Sequence, residues 1–216
     1  MPWYVLGRSV LGRPIPALRL GDPHGSLKAA AVACIHGDEP AGIRVVEALN
    51  RSVLPAGLDL WLLTDANPDG HAANTRVNAH GVDLNRNFPW KWKHHGKRGN
   101  PMFSGPAPLS EPESNAIYAL FEGLSPKLVV WYHQPFGVVD ESGGDVGLES
   151  LYAQLVGMTL TELPRYPGSA ASWANQAVPG ATSFVVELPL GPAGRRVAQQ
   201  HALAFLELAK RMIAAG

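Results

Sequence analysis

The sequence has little that would cross-link it or draw it to a charged polymer. Its 216 residues include one cysteine, Cys34, so no disulfide can form within the chain, and this usage fits a reducing compartment. The 18 basic and 18 acidic side chains cancel, and charged residues make up only 17% of the chain. Because there is no basic excess or stripe, we do not expect nucleic acid to be a partner.

Long apolar segments are also missing. The longest unbroken apolar run covers residues 29–35, which is far too short to span a bilayer. The first eight residues do not show a charged segment followed by an apolar one, so we expect no signal peptide. We therefore expect a cytoplasmic protein without membrane contact. We find no internal repeat or linker, and we expect a single domain over residues 1–216.

What the sequence does contain is apolar content of 46%, together with 23 glycines and 19 prolines. This composition is typical of a globular domain with many turns and long loops. Short apolar runs predict strands at 3–6, 15–20, 28–35, 58–64, 127–133 and 182–188, and helical spacing predicts helices at 40–50, 110–124, 148–158 and 194–214. The alternation predicts an α/β fold with a mostly parallel mixed sheet and helices on both faces.

Between these elements lie segments without a helical or strand period. The longest, 71–109, is rich in Asn, Gly, Pro, His and Trp, and a stretch of this length inside a domain is usually functional. We expect a turn at 67–70, a loop at 134–147, and a loop with a short helical turn at 164–180. Residues 110–113 resemble a capping box at the start of the second helix.

Polar residues follow three of the predicted strands. His36 and Glu39 come after strand 28–35, His133 ends strand 127–133, and Glu187 lies near the end of strand 182–188. The carboxyl ends of parallel strands form one edge of a sheet, so these side chains should meet there. Two imidazoles and one carboxylate are the donor set of a catalytic zinc site that leaves a position for water. We predict that His36, Glu39 and His133 bind one Zn²⁺ per chain.

The long loop carries the string Gly-Val-Asp-Leu-Asn-Arg-Asn-Phe at 81–88. With the strand-end residues, it makes nearly the whole chain resemble the M14 zinc metallocarboxypeptidases. Stretches 133–137 and 166–173 are most similar to the murein peptide amidase A branch of that family. The resemblance implies a zinc carboxypeptidase-like fold and a hydrolase that removes the C-terminal residue from small peptides. The favoured bond joins γ-D-glutamate to meso-diaminopimelate in murein peptides during cell-wall recycling.

The resemblance also implies roles for single residues. Glu187 would be the general base that activates water and then protonates the leaving amine. Arg76 would polarise the scissile carbonyl, and Asn85 and Arg86 would bind the carboxylate of the released residue. Asp83 would accept a hydrogen bond from a metal-bound histidine ring.

Each of these assignments has a structural alternative. The segment 85–87 could instead hold the long loop together, Glu187 could be an ion-pair partner, and Asp83 could cap the loop. Tyr166 precedes Glu187 by 21 residues, near the spacing of the family's substrate-contacting tyrosine, but it could equally pack in the loop. Cys34 would be a buried apolar residue, and the basic run 91–98 a solvated loop or a steering surface.

Two other functions remain open from the sequence. The His-x-x-Glu and Asn-Arg elements are shared with N-acyl amino acid deacylases of the aspartoacylase and succinylglutamate desuccinylase type. A non-catalytic, zinc-stabilised peptide-binding module is the third possibility. Acidic side chains on the loop after His133 could meet the ammonium group of diaminopimelate; they are Asp140, Glu141 and Asp145. The oligomeric state is undetermined.

Overall fold

The computed structural model describes residues 3–216, which form one mixed sheet with helices on either side. The strands are β1 (Trp3–Arg8), β2 (Pro14–Gly21), β3 (Leu27–Ala33), β4 (Leu58–Leu63), β5 (Leu128–His133), β6 (Phe136–Asp140), β7 (Thr159–Thr161) and β8 (Thr182–Pro189). The helices are α1 (Ala41–Asn50), α2 (Pro68–Ala73), α3 (Pro112–Leu124), α4 (Val146–Val156), α5 (Ala170–Ala177) and α6 (Arg195–Ala215).

The sheet has eight strands in the order β1-β2-β4-β3-β5-β8-β6-β7 across the described residues. The four central strands, β4, β3, β5 and β8, run parallel to one another. Antiparallel pairings join β2 to β4 on one side and β6 to β8 on the other. The predicted α/β fold with a mostly parallel mixed sheet is confirmed.

Alternate residues of β3 enter two separate cores, one on each face of the sheet. Ala29, Ala31 and Ala33 pack with residues of α1, α4 and α6. Ala30 and Val32 pack on the opposite face with residues of α3 and α5. Both faces of β3 are therefore buried, which explains why its sequence is continuously apolar and does not alternate.

Two strands lie where the sequence predicts no strand. β6 falls in the expected loop 134–147. β7 begins two residues after Gly157, whose left-handed backbone ends α4. β6 contains Gly137 and is mostly incompletely buried, so it lacks the apolar run that marks the central strands. It pairs with β7 on one side and on the other with β8, which is distant in the sequence, so pairing defines this strand more than local propensity does.

Two local predictions need correction. The segment 67–70 opens helix α2 and is not a simple turn, because the Asn67 side chain accepts a hydrogen bond from the Gly70 N–H and Pro68 fills the first helical turn. The prediction of a capping box at 110–113 is wrong. Helix α3 begins at Pro112 with Glu111 as its N-cap, and the Ser110 hydroxyl donates to the Glu111 carboxylate at 2.7 Å.

Within residues 3–216, none of the helices combines the length and the apolar content that crossing a membrane requires.

Candidate metal centre and active site

The candidate site lies where β3, β5 and β8 end. These strands are adjacent and parallel, and His133 at the end of β5 stands directly opposite Glu187 in β8. His36 follows β3 by three residues, and Glu39 lies one residue before the N-cap of α1. Backbone pairing across distant segments therefore brings together the strand-end residues that the sequence singles out.

The three predicted metal ligands converge on one point. The Nδ1 atoms of His36 and His133 lie 3.1 Å apart, and each faces a Glu39 carboxylate oxygen, at 2.9 Å and 2.7 Å respectively. All three side chains are buried. Two imidazole nitrogens and one carboxylate within such a small radius are a donor set that suits zinc. The residues present therefore fit the predicted ion.

Asp83 holds the ring of His36 from the other side. Its Oδ1 lies 3.1 Å from Nε2 of His36, which leaves Nδ1 of that ring for the metal position. Burial by itself would raise the pKa of Asp83, but His36 and Arg76 outweigh it and hold that pKa well below its usual range. The carboxylate also caps the short 3₁₀ turn at 84–86, so both roles considered for Asp83 are present.

Arg76 bridges the two carboxylates of the site. Its Nε and Nη2 donate to the Asp83 Oδ2 at 3.1 Å and 3.0 Å, and its Nη1 donates to the Glu39 Oε1 at 3.3 Å. The guanidinium is thus fixed at the edge of the metal centre, and it also lines the adjoining cavity.

Glu187 brings a carboxylate to the same cavity and forms no ion pair within residues 3–216. It is 8% exposed, and its Oε2 is buried without a hydrogen-bond partner among residues 3–216. Burial raises the pKa of this carboxyl, and the neighbouring His133 opposes the rise. The geometry disfavours the ion-pair alternative and leaves an acceptor that can take a proton.

Neighbouring residues of segment 81–88 have different structural roles. Asn87 donates to the carbonyl oxygens of Ser104 and Ala107, so it holds the long loop together. Arg86 and Asn85, in contrast, line the cavity. The loop-network alternative therefore holds for Asn87 and in part for Asn85, whose Oδ1 accepts from the Ala170 N–H at 2.9 Å. The Arg86 guanidinium faces the cavity beside them.

Arg86 stacks on Tyr166. The guanidinium carbon lies 4.3 Å from the centroid of the tyrosine ring, which also lines the cavity. The Arg86 Nη1 donates to the backbone oxygen of Asn85 at 2.7 Å, while Nε is buried without a partner among the described residues. The stacking fixes the plane of a guanidinium that can bind a carboxylate through two parallel hydrogen bonds.

The cavity beside the metal centre has a volume of about 620 Å³. All seven predicted site residues line it: His36, Glu39, Arg76, Asn85, Arg86, His133 and Glu187. Of the acidic residues after His133, only Asp140 does so, and Asp145 instead caps the N-terminus of α4. Arg165 also lines the cavity, and sequence reasoning missed it because a lone arginine in a loop gives no local signal.

Comparison with known proteins identifies the family. The Peptidase M14 model, described as zinc carboxypeptidase, matches residues 1–139. Murein peptide amidase A of Vibrio campbellii is 32% identical over 94% of this chain and 85% of its own length. The chain belongs to the zinc carboxypeptidase family. It is accordingly a hydrolase, and the expected family fold and zinc site agree with the geometry described above.

Further zinc carboxypeptidase relatives support the assignment. Murein peptide amidase A of Escherichia coli K12 is 32% identical over 77% of this chain and 74% of its own length. The crystal structure of murein-tripeptide amidase MpaA from Escherichia coli O157 superposes with a TM-score of 0.78 at 28% identity, covering 96% of this chain and 91% of that one. Carboxypeptidase A from Helicoverpa armigera shares the fold, with a TM-score of 0.85 at 20% identity, over 100% of this chain and 69% of that one.

Proposed function

We propose that this chain is a single-domain zinc amidase that releases the C-terminal residue of small murein peptides. The preferred bond joins γ-D-glutamate to meso-diaminopimelate. One observation carries the proposal: a buried carboxylate, Glu187, faces the same cavity as a zinc-type donor set and two guanidinium groups, Arg76 and Arg86. The names of the relatives support murein peptides as the substrate class.

Each residue has a proposed task in hydrolysis of the amide. Glu187 takes a proton from the attacking water and passes it to the amine as the C–N bond breaks. Arg76 stabilises the negative charge that develops on the carbonyl oxygen. The products are a new carboxylate on the glutamyl side and a free amine on the released residue.

The metal would be held by His36, Glu39 and His133. When bound there, Zn²⁺ supplies a Lewis acid for the water and for the scissile carbonyl. Asp83 keeps His36 in the orientation that this binding requires, through its bond to the ring nitrogen opposite the metal position.

Arg86 and Asn85 bind the carboxylate of the residue that leaves. A guanidinium matches a carboxylate in two parallel hydrogen bonds, and stacking on Tyr166 restricts the arginine to one plane. A clamp of this kind selects substrates that end in a free carboxylate.

Two further charged residues that line the cavity fit diaminopimelate. Its side chain ends in both a carboxylate and an ammonium group. Arg165 and Asp140 bring one positive and one negative side chain to the cavity wall. The single cysteine supports action in a reducing compartment, and we propose that this is the cytoplasm.

The deciding experiment is hydrolysis of L-Ala-γ-D-Glu-meso-diaminopimelate by the zinc-loaded protein. We expect free diaminopimelate, and we expect Glu187→Gln to lower kcat by about 10²–10⁴-fold while keeping its zinc. Turnover of N-acyl amino acids without turnover of peptides would identify a deacylase. Peptide binding without turnover, unchanged by Glu187→Gln, would identify a non-catalytic module.

A further inference from the structure

A second cluster of metal-binding side chains lies beside the candidate active site and shares no residue with it. Cys34 follows β3, Asp65 follows β4, and His71 lies in α2. Because β3 and β4 are parallel neighbours, their carboxyl ends meet and bring the thiol and the carboxylate together. Ligand atoms of all three side chains lie within 4.8 Å of one another.

The carboxylate at the centre of this cluster has an unused oxygen. Asp65 Oδ2 lies 2.7 Å from Nδ1 of His71. Its Oδ1 is buried and has no hydrogen-bond partner within residues 3–216. A buried carboxylate oxygen without a partner is costly, and a bound cation would remove that cost.

The cysteine is held at this position by its backbone. Cys34 has φ of 58°, in the left-handed region, and its side chain is fully buried. The thiol donates a weak hydrogen bond to the backbone oxygen of His36 at 3.5 Å, with the Gly37 oxygen at 3.8 Å. The turn that carries His36 also places the Cys34 thiol within 4.8 Å of the Asp65 and His71 ligand atoms.

The Asp65 and His71 side of the cluster opens to a cavity. A separate cavity of about 330 Å³ is lined by Asp65 and His71, and the His71 side chain is 38% exposed. Arg13 lines the same cavity, but its guanidinium donates to Asp69 at 2.6 Å, so a carboxylate already balances that charge.

We propose that Cys34, Asp65 and His71 bind a second divalent metal ion of the zinc, cobalt and cadmium class. Thiolate, imidazole and carboxylate together suit these borderline-soft cations and not magnesium or calcium, which prefer oxygen. On binding, the thiol proton leaves to solvent and the His71 nitrogen exchanges its bond to Asp65 for the metal. The cavity leaves room for water as the fourth ligand.

Such an ion would stabilise the turn that carries His36. It would connect the end of β3, the segment after β4 and helix α2 through one centre. The proposed ion is thus a structural metal next to the active site, and it takes no part in hydrolysis.

Cobalt(II) is the probe, because the single cysteine makes the readout specific. A thiolate bound to cobalt gives a charge-transfer band in the near ultraviolet. The candidate active site offers only nitrogen and oxygen donors, and the chain has one sulfur of cysteine type, so such a band reports Cys34 alone. We expect metal-free protein titrated with cobalt to bind one ion more than the active site holds and to develop this band.

Two variants test the cysteine and histidine ligands, and a third variant is the control. Cys34→Ser, which has nearly the same shape, should abolish the band, and His71→Ala should weaken cobalt binding at this site by at least tenfold. Since His71 is half-exposed, its variant tests the proposal even if Cys34→Ser folds poorly. His80→Ala is the matched control, because that imidazole is paired with Glu111 elsewhere, and it should leave the band unchanged.

Two results would overturn the proposal. One is a metal content that stops at the active-site ion with no thiolate band. The other is cobalt binding to His71→Ala with the same thiolate band and the same affinity as the wild type. That result would remove the histidine from the ligand set. Neither readout uses hydrolysis, so the outcome is independent of the proposed amidase activity.

Discussion

At the residue scale, adjacent side chains of the long loop have divided roles. Asp83 orients His36 and pairs with Arg76, Arg86 faces the cavity, and Asn87 bonds to backbone oxygens of the loop itself. The short 3₁₀ turn at 84–86 makes this division possible, because it rotates successive residues to different sides. Substitutions within this string should therefore have very different effects on activity and on stability.

The ring of Tyr166 should matter more than its hydroxyl. Removing the ring in Tyr166→Ala takes away the surface on which Arg86 stacks, a contact of about 1 kcal/mol. We expect a rise of roughly fivefold in KM with kcat little changed. Tyr166→Phe keeps the ring and should behave like the wild type. Equal effects of the two substitutions would show that the stacking does not position Arg86.

Arg165 should discriminate between diaminopimelate and lysine at the released position. The two residues differ in the distal carboxylate, and a charge-assisted hydrogen bond to it is worth about 1.5–3 kcal/mol. We expect Arg165→Gln to lower kcat/KM for the diaminopimelate tripeptide by roughly tenfold or more, and to change the lysine tripeptide little. Arg44→Gln, at an exposed arginine of α1, is the control. An equal loss of kcat/KM on both peptides would show that Arg165 does not bind the distal carboxylate.

At the element scale, the approach of α1 to the sheet sets the position of Glu39. A Cβ added at Gly42 would stand 2.4 Å from the Tyr132 Cβ and 3.2 Å from the Ala33 Cβ. The helix can therefore pack at its observed distance only with glycine at this position. Since Glu39 lies two residues before the first residue of α1, a shift of the helix would also move a predicted metal ligand.

Gly42→Ala should accordingly destabilise the fold. We expect a loss of about 1–3 kcal/mol in the free energy of unfolding, because the sheet beneath α1 must shift to relieve the overlap. Gly123→Ala is a matched control in α3, where an added Cβ has no atom within 4 Å. It should be neutral or stabilise by up to about 1 kcal/mol. Denaturant titration of both variants makes the comparison, and similar values would contradict tight packing at Gly42.

At the scale of the whole molecule, several acidic side chains are buried outside the site. Glu149, near the start of α4, is one of them: its side chain is fully buried, and the Gly144 N–H donates to it at 3.3 Å. Burial raises the pKa of this carboxyl to about 7. The folded state therefore holds a proton that the unfolded chain releases at a lower pH.

The raised pKa of Glu149 makes its contribution to folding stability fall as the pH rises. The stabilisation from protonated Glu149 is complete below the unfolded pKa, near 4.5, and is lost as pH rises to about 7. We expect the stability of wild type minus that of Glu149→Gln to fall by up to about 3 kcal/mol across this window. Urea unfolding at a series of pH values measures it, with Glu162→Gln as the exposed control. A difference that does not change with pH would contradict the raised pKa.

The sequence by itself determined the central sheet and the strand-end residues. Predominantly apolar runs mark β3, β4 and β5 because these strands are buried on both faces, and this signal is local. The polar residues that directly follow such runs must lie at one edge of a parallel sheet. The metal set of His36, Glu39 and His133 could be predicted for this reason, and resemblance to the family added Arg76, Asn85 and Arg86.

Only the tertiary structure decided the features that depend on distant pairing. β6 exists because β8 lies beside it, and Arg165 enters the cavity because its loop folds back toward residues 141–143. The cluster of Cys34, Asp65 and His71 likewise forms only when β3, β4 and α2 are packed. None of these leaves a periodic signal in the sequence, since each depends on where a second, remote segment is placed.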